Sequence, residues 1–171
     1  YDFDFGYTGK IQYAVALRDK PADTDQANGI ECDNDGSGTL AEPFTRPQLS
    51  NLTLIGPYDT TGSSANHGFS NRWRRSTYKD GLSEFKNNIV AVYAKPYNSQ
   101  DSLSKTIISS AEIQAKAESE GSRTLASRDD VQLTDPFNLT SPNFLPKAGS
   151  PALTGASFTG MSTSFTTVDY R

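Results

Sequence analysis

The sequence predicts a mainly β solenoid with one helical insertion, and three observations carry that expectation. Short runs of β-branched, aromatic and aliphatic residues alternate with clusters of turn formers rather than with helical spacings. Hydrophobic residues make up only 35% of the 171-residue chain and charged residues 21%, a balance that suits a turn-rich β protein better than a helical bundle. Two of the runs share a form at a separation of about 36 residues, which lies in the range where repeats mean stacked coils.

Residues 1–96 read as the coils. The first runs are Phe3 to Phe5 and Lys10-Ile11-Gln12-Tyr13-Ala14-Val15-Ala16-Leu17, punctuated by Gly6 and Gly9. Gly29-Ile30-Glu31-Cys32 and Leu49-Ser50-Asn51-Leu52-Thr53-Leu54-Ile55 follow. Between them lies Asp33-Asn34-Asp35-Gly36-Ser37-Gly38, built from residues that tolerate left-handed backbone. His67 to Arg74 and Phe85-Lys86-Asn87-Asn88-Ile89-Val90-Ala91-Val92-Tyr93 complete the set. The repeat couples the run from Leu49 to the run from Phe85: an apolar residue, a variable one, Asn, then an aliphatic stretch. In a solenoid such positions form ladders, and an inward Asn at a bend hydrogen-bonds its copies above and below. Two unrelated strands that both happen to carry Asn are the plainer reading.

After Pro96 the texture changes, and residues 97–135 read as a helical insertion flanking the coils. Ser104 to Glu120 carries Ile107, Ile108, Ala111, Ile113, Ala115 and Ala117 with no interior Gly or Pro, and Gly121 stands where a helix C-terminal cap belongs. A shorter helical or 3₁₀ piece is expected from Arg128 to Leu133, ended by Pro136. Residues 136–171 form a closing segment. Within it, Ser141-Pro142-Asn143-Phe144-Leu145-Pro146-Lys147-Ala148-Gly149-Ser150-Pro151 should lie extended, with tight bends, over a packed surface.

Charge and composition exclude several classes of function. Sixteen basic and 20 acidic residues leave a net charge of −4, and a weakly acidic surface does not condense on phosphate backbones, so nucleic acid is not an expected partner. Eight Tyr, nine Phe and one Trp are too many large apolar groups for a chain that stays disordered. The single Cys32 has no partner for an internal disulfide and reads as a small apolar core residue. No stretch approaches the roughly 18 consecutive apolar residues of a transmembrane segment, and no charged start followed by an apolar run marks a signal peptide. Both ends fall inside alternating patterns, Tyr1-Asp2-Phe3-Asp4-Phe5 and Phe165-Thr166-Thr167-Val168-Asp169-Tyr170-Arg171. The chain therefore reads as a fragment that continues N-terminal to Tyr1, with any targeting signal elsewhere.

The succession Phe3-Asp4-Phe5-Gly6-Tyr7-Thr8-Gly9-Lys10-Ile11-Gln12-Tyr13, Asn28-Gly29-Ile30-Glu31-Cys32-Asp33-Asn34-Asp35 and Pro47 to Gly56 resembles a family of bacterial surface proteins, many from Bacteroidota. Members carry a pectate-lyase-like right-handed β-helix. Glu84-Phe85-Lys86-Asn87-Asn88-Ile89-Val90 is similar to the family's next rung, and Phe144-Leu145-Pro146-Lys147-Ala148-Gly149-Ser150-Pro151-Ala152-Leu153 to the Pro-x-x-Gly-Ser-Pro close after the last coils. The likeness is weakest from Tyr97 to Gln132. It implies a single-stranded right-handed parallel β-helix, of which this chain is the C-terminal portion, in a secreted, cell-surface or outer-membrane protein. One fold hosts many chemistries, so the resemblance says less about activity.

Three sets of residues are candidates for function. Asp4, Glu31, Asp33 and Asp35, with Asp2, form an acidic group. Stacking Asp4 on Glu31 at the strand spacing of roughly 4.8 Å would call for a cation or raised pKa values. Calcium, which takes hard oxygen ligands in irregular geometry, is the natural cofactor; a solvated acidic turn is the plainer reading. Asp33 to Gly38 opens like an EF-hand loop, but Pro43 or Phe44 stands where the bidentate acid belongs, so that motif fails. Arg72, Trp73 and Arg74 are candidates for carbohydrate, with Trp stacking on a sugar ring and Arg pairing with carboxylates; a basic surface strand is the alternative. In that strand Asn71 and Trp73 should face one way and Arg72 and Arg74 the other. Asp59-Thr60-Thr61 and Asp101-Ser102-Leu103 resemble O-glycosylation acceptors of exported Bacteroidota proteins, with Thr60 and Ser102 as the modified residues. His67 is the sole histidine, which excludes a multi-histidine metal site. No phosphate loop, dinucleotide fingerprint or nucleophile elbow occurs.

The sequence thus points to a non-catalytic surface or secreted β-helix module, a scaffold or a binder of polysaccharide or another surface protein. Two alternatives stand beside it. One is a polysaccharide lyase using the acidic rung with Lys10, His67, Arg72, Arg74 or Arg75; the other is a structural subunit of an outer-membrane assembly.

Overall fold

A computed structural model describes residues 1–18, 28–35, 39, 41–56, 71–73, 81, 83–91, 96–99 and 109–162, with the backbone alone at 71–73 and 99. The strands recur in a fixed order. β1 (Asp2–Phe3), β2 (Lys10–Gln12) and β3 (Val15–Leu17) belong to one coil, and β4 (Ile30–Cys32), β5 (Gln48–Ser50) and β6 (Thr53–Ile55) to the next. β7 (Asn71–Trp73), β8 (Glu84–Lys86) and β9 (Ile89–Ala91) form the third. Each strand pairs in parallel with its counterpart one coil along, giving a first sheet β1-β4-β7-β10, a second β2-β5-β8 and a third β3-β6-β9-β11. The added strands are β10 (Tyr97–Ser99) and β11 (Arg123–Leu125). The repeat read from the sequence is the observed register: Leu49 pairs with Phe85.

Alternation along the short strands of the second and third sheets turns their central residue inward. In the second sheet this is the column Ile11, Leu49, Phe85, and in the third the column Ala16, Leu54, Val90. With Phe3, Ile30, Cys32, Leu52 and Tyr97 these residues make one continuous core. Leu49, Leu54, Phe85 and Val90 are fully buried, each contributing roughly 1.5–3 kcal/mol relative to exposure. Cys32 is buried in this core and forms no disulfide.

The corner between the second and third sheets is two residues long in the first three coils, and Gly121 and Ser122 take the same places before β11. Its first residue is left-handed: Tyr13 (φ 54°), Asn51 (φ 59°), Asn87 (φ 57°) and Gly121 (φ 88°). Glycine is favoured at the last of these by its φ, and a Cβ there would also displace the Asn87 amide, whose Oδ1 it would meet. The second corner residue points inward, and here the expected polar ladder shifts by one position. Asn88, not Asn51 or Asn87, is the buried amide: its Oδ1 accepts from Leu52 N–H at 2.7 Å and its Nδ2 donates to the Leu49 carbonyl at 3.4 Å. Its own N–H donates to Ser122 Oγ at 3.1 Å, and Ser122 Oγ donates on to the Phe85 carbonyl.

Helix α1 (Ser110–Ser119) takes the place of a second-sheet strand in the fourth coil, between β10 and β11. It begins where Ser109 and Glu112 form a capping box, which apolar periodicity does not reveal, and Gly121 follows its C-terminus as expected. Residues 104–108 of the expected helix lie outside the described residues. Ile113 and Ala117, four apart on one face, are buried in the same core as Phe85 and Tyr97. Strand pairing continues past residue 96, with β10 on β7 and β11 on β9.

The remaining chain wraps the outside. The 3₁₀ turn Arg128–Val131, the antiparallel pair β12 (Leu133–Asp135) and β13 (Asn143–Pro146), and the 3₁₀ turn Pro151–Leu153 follow in order. Val131, Leu133, Phe137 and Ala152 pack on the outward residues of the third sheet, Leu17, Ile55, Ile89, Ala91 and Leu125. That sheet is covered on both faces, which explains why Thr53-Leu54-Ile55 and Ile89-Val90-Ala91 read as nearly continuous apolar runs.

Candidate binding faces on the first and second sheets

The first sheet gathers the acidic residues, in a different order from the expected one. Register pairs Asp2, not Asp4, with Glu31 and pairs Glu31 with Arg72, so that Asp2, Glu31, Arg72 and Asn98 occupy one column. Asp4 falls abreast of Asp33, since Asp33 N–H donates to the Phe3 carbonyl and Phe5 N–H to that of Asn34. Burial, and then the charges of Asp2, Asp33 and Glu31, push the Asp4 carboxyl above its ordinary range. Its Oδ1 is buried without a hydrogen-bond partner. Glu31 accepts from Asn28 Nδ2 at 3.0 Å, and Asp35 accepts from the Thr39 N–H at 3.1 Å and from its hydroxyl. Asn34, buried in the same turn, donates to the carbonyls of Thr39 and Ala41 and accepts from Thr45 N–H, which fixes the loop. Among the described residues, no three His, Cys, Asp or Glu side chains are grouped so as to hold a metal ion.

Trp73 does not share a register column with Arg72. It pairs with Cys32, and so falls in the column of Phe3 and Cys32, both of which are core residues. Arg74, Thr60, Ser102, His67 and Arg75 lie outside the described residues.

The second sheet presents a different face. Its outward residues, Gln48 and Ser50 on β5 and Glu84 and Lys86 on β8, hold the segment from Ala156 to Ser162 together with the corner residues Asn51 and Asn87. Ser157 N–H donates to Asn51 Oδ1 at 2.9 Å, and the Ser157 carbonyl accepts from Asn87 Nδ2 at 2.8 Å and Ser50 Oγ at 3.0 Å. Lys86 Nζ donates to the Gly160 carbonyl. Both oxygens of Glu84 accept from Ser162, from its N–H at 2.8 Å and its hydroxyl at 3.0 Å, and Gln48 Nε2 donates to Ser162 Oγ at 2.8 Å. Phe158 meets the ring of Tyr13 edge-on at 5.8 Å. Beneath the segment a cavity of about 50 Å³ is lined by Asn51, Thr53, Asn87, Arg123 and Thr154, among others, far below the roughly 300 Å³ at which small-molecule sites begin. Arg123 closes it by donating to the carbonyls of Pro151 and Thr154.

Sequence reasoning missed this face. Its signal was present in the Asn shared by the two repeat copies, but left-handed backbone at the corner turns Asn51 and Asn87 outward instead of into the core.

Parallel strands stacked coil upon coil around one core, with the chain's later segments laid over two outer faces, define a parallel β-helix domain. The family described as pectate-lyase like beta helix domain matches residues 1–150, and the chain belongs to it. Comparison with curated proteins and with solved structures gives no match. No helix among the described residues is long and apolar enough to cross a membrane.

Proposed function

We propose that the chain is a non-catalytic module of a secreted or surface-exposed bacterial protein, a scaffold whose sheet faces bind an extended polymer, carbohydrate or protein. The coils in this reading are single-stranded and right-handed, the hand that parallel crossovers adopt in nearly all cases. The observation that carries the binding role is the second-sheet face, where side chains from two adjacent coils grip the segment 157–162 by hydrogen bonds. Incubation with a panel of glycans should give retention without product. A rise in absorbance near 235 nm on incubation with uronate polymers, with or without calcium, would report elimination and overturn the non-catalytic reading.

A polysaccharide lyase is the second reading, favoured by the column Asp2, Glu31, Arg72 and by the raised Asp4 carboxyl beside it. A carboxyl raised above its ordinary range by burial and neighbouring acids is better suited to proton transfer than an unperturbed one, and an arginine to a uronate carboxylate. That reading predicts an activity lost in Asp4→Asn and in Arg72→Ala alike.

A further inference from the structure

The contacts that hold residues 157–162 are unusual in what they address. Asn51, Asn87 and Ser50 contact only the N–H and C=O of Ser157, Lys86 takes the carbonyl of Gly160, and Glu84 takes the N–H of Ser162. These are main-chain amide groups, which every peptide carries at each residue and a glycan carries only where a sugar is N-acetylated. The side-chain requirements are few and definite. An aromatic ring at 158 meets Tyr13. Glycine stands at 160 with φ +77°, a conformation other residues rarely adopt. A hydroxyl at 162 is held by Glu84 and Gln48. Ser157 adds a local turn by accepting from Thr159 N–H at 3.0 Å, which preorders the segment.

We propose that the outer face of the second sheet is a peptide-recognition surface for segments of the pattern Ser-aromatic-x-Gly-x-Ser that turn at the glycine, as Phe158 to Met161 do through the Met161 N–H to Phe158 carbonyl bond of 3.1 Å, and that residues 157–162 are its occupant within the same chain. The proposal rests on the binding role above and narrows it from polymers in general to peptides. Main-chain hydrogen bonds with a few side-chain checkpoints also read extended peptides on sheet edges; here outward side chains, not a strand edge, supply the donors and acceptors, and the peptide they hold is turned at Gly160. An occupant tethered to its own site competes at an effective concentration in the millimolar range. A partner peptide therefore gains access when the tethered segment is weakened.

The test uses the full chain and a fluorescent peptide with the sequence of residues 155–162. Ser157→Pro removes the N–H that Asn51 accepts, and Gly160→Val independently strains the positive φ, so each should release the tethered segment. Circular dichroism checks that the coils remain folded, and hydrogen exchange reports the release. Fluorescence anisotropy should show the peptide binding at least about tenfold more tightly to either variant than to the unaltered chain. Adding Asn51→Ala and Asn87→Ala to Ser157→Pro should abolish that gain. Peptide binding that neither variant raises, or that survives loss of both asparagines, overturns the proposal. Glycan retention measured on the same samples separates the two readings: retention with no peptide binding overturns the peptide assignment and leaves a binding role, and absence of both removes the two together.

Discussion

The second and third sheets are covered by consecutive stretches of the same chain, yet by different physics. The third sheet turns Ile55, Ile89 and Ala91 outward and is covered by Val131, Leu133, Phe137 and Ala152, an apolar contact with little directional demand. The second sheet turns Gln48, Ser50, Glu84 and Lys86 outward and is covered through hydrogen bonds to residues 157–162. Apolar cover is the larger contribution to stability, because net hydrogen bonds to exposed segments are worth little against water. Polar cover is the more exchangeable one, since another peptide offers the same donors and acceptors.

The widest separation between the two faces should come from Ile55→Ala. This fully buried side chain lies under the third-sheet cover, and its truncation should cost about 2–5 kcal/mol in urea unfolding, within the range for buried aliphatic cavities. A loss below 1 kcal/mol would mean that the apolar cover contributes little. At the corner joining the two sheets, Asn88→Ala leaves the buried Leu52 N–H without its acceptor. The expected loss is about 1–3 kcal/mol by the same measurement.

On the second sheet, Asn87→Ala should cost only about 0.5–1.5 kcal/mol in total stability. Its main effect should be faster amide exchange confined to residues near Ser157, with the third-sheet cover unchanged. Exchange that quickens equally over both covers would show that they move as one unit and would erase the contrast. The smallest effect belongs to the first sheet. The Asp4 carboxyl is raised above its unfolded value, so the folded state binds more protons, and stability falls as pH rises through the folded value. Asp4→Asn should therefore stabilise the protein at pH 7 by no more than about 1 kcal/mol, given screening at this partly exposed site. The gain should vanish once the pH drops below the ordinary carboxylate range, which thermal unfolding at two pH values can read.

What the sequence made legible follows from which connections have constant length. The two-residue corner is the same in the three coils that carry second-sheet strands, and the spacing from Leu49 to Phe85 is the observed register. The loops leading into the first sheet vary in length, and Asp4 was accordingly misaligned with Glu31, whose actual neighbour is Asp2. β10 and β11, with the sequences Tyr-Asn-Ser and Arg-Thr-Leu, are three residues long. They are too short to show alternation, and their place in the coils emerges only from pairing. The buried face of α1 was readable from Ile113 and Ala117, but its role in closing the core was not. The second-sheet face left almost no trace, because side chains that bind main-chain atoms impose no pattern on their partner beyond an aromatic ring, a glycine and a hydroxyl.

The replacement of a strand by α1 has a consequence for solubility. Parallel strands in register are also the geometry of amyloid-like fibrils, and an open sheet end is a template for accretion of further chains. Among the described residues the second sheet stops at β8 and a helix with a charged outer face stands over the coil's end. An incoming strand meets α1 there in place of a free edge, so at the second sheet the stack resists strand addition, whereas the first and third sheets end on β10 and β11.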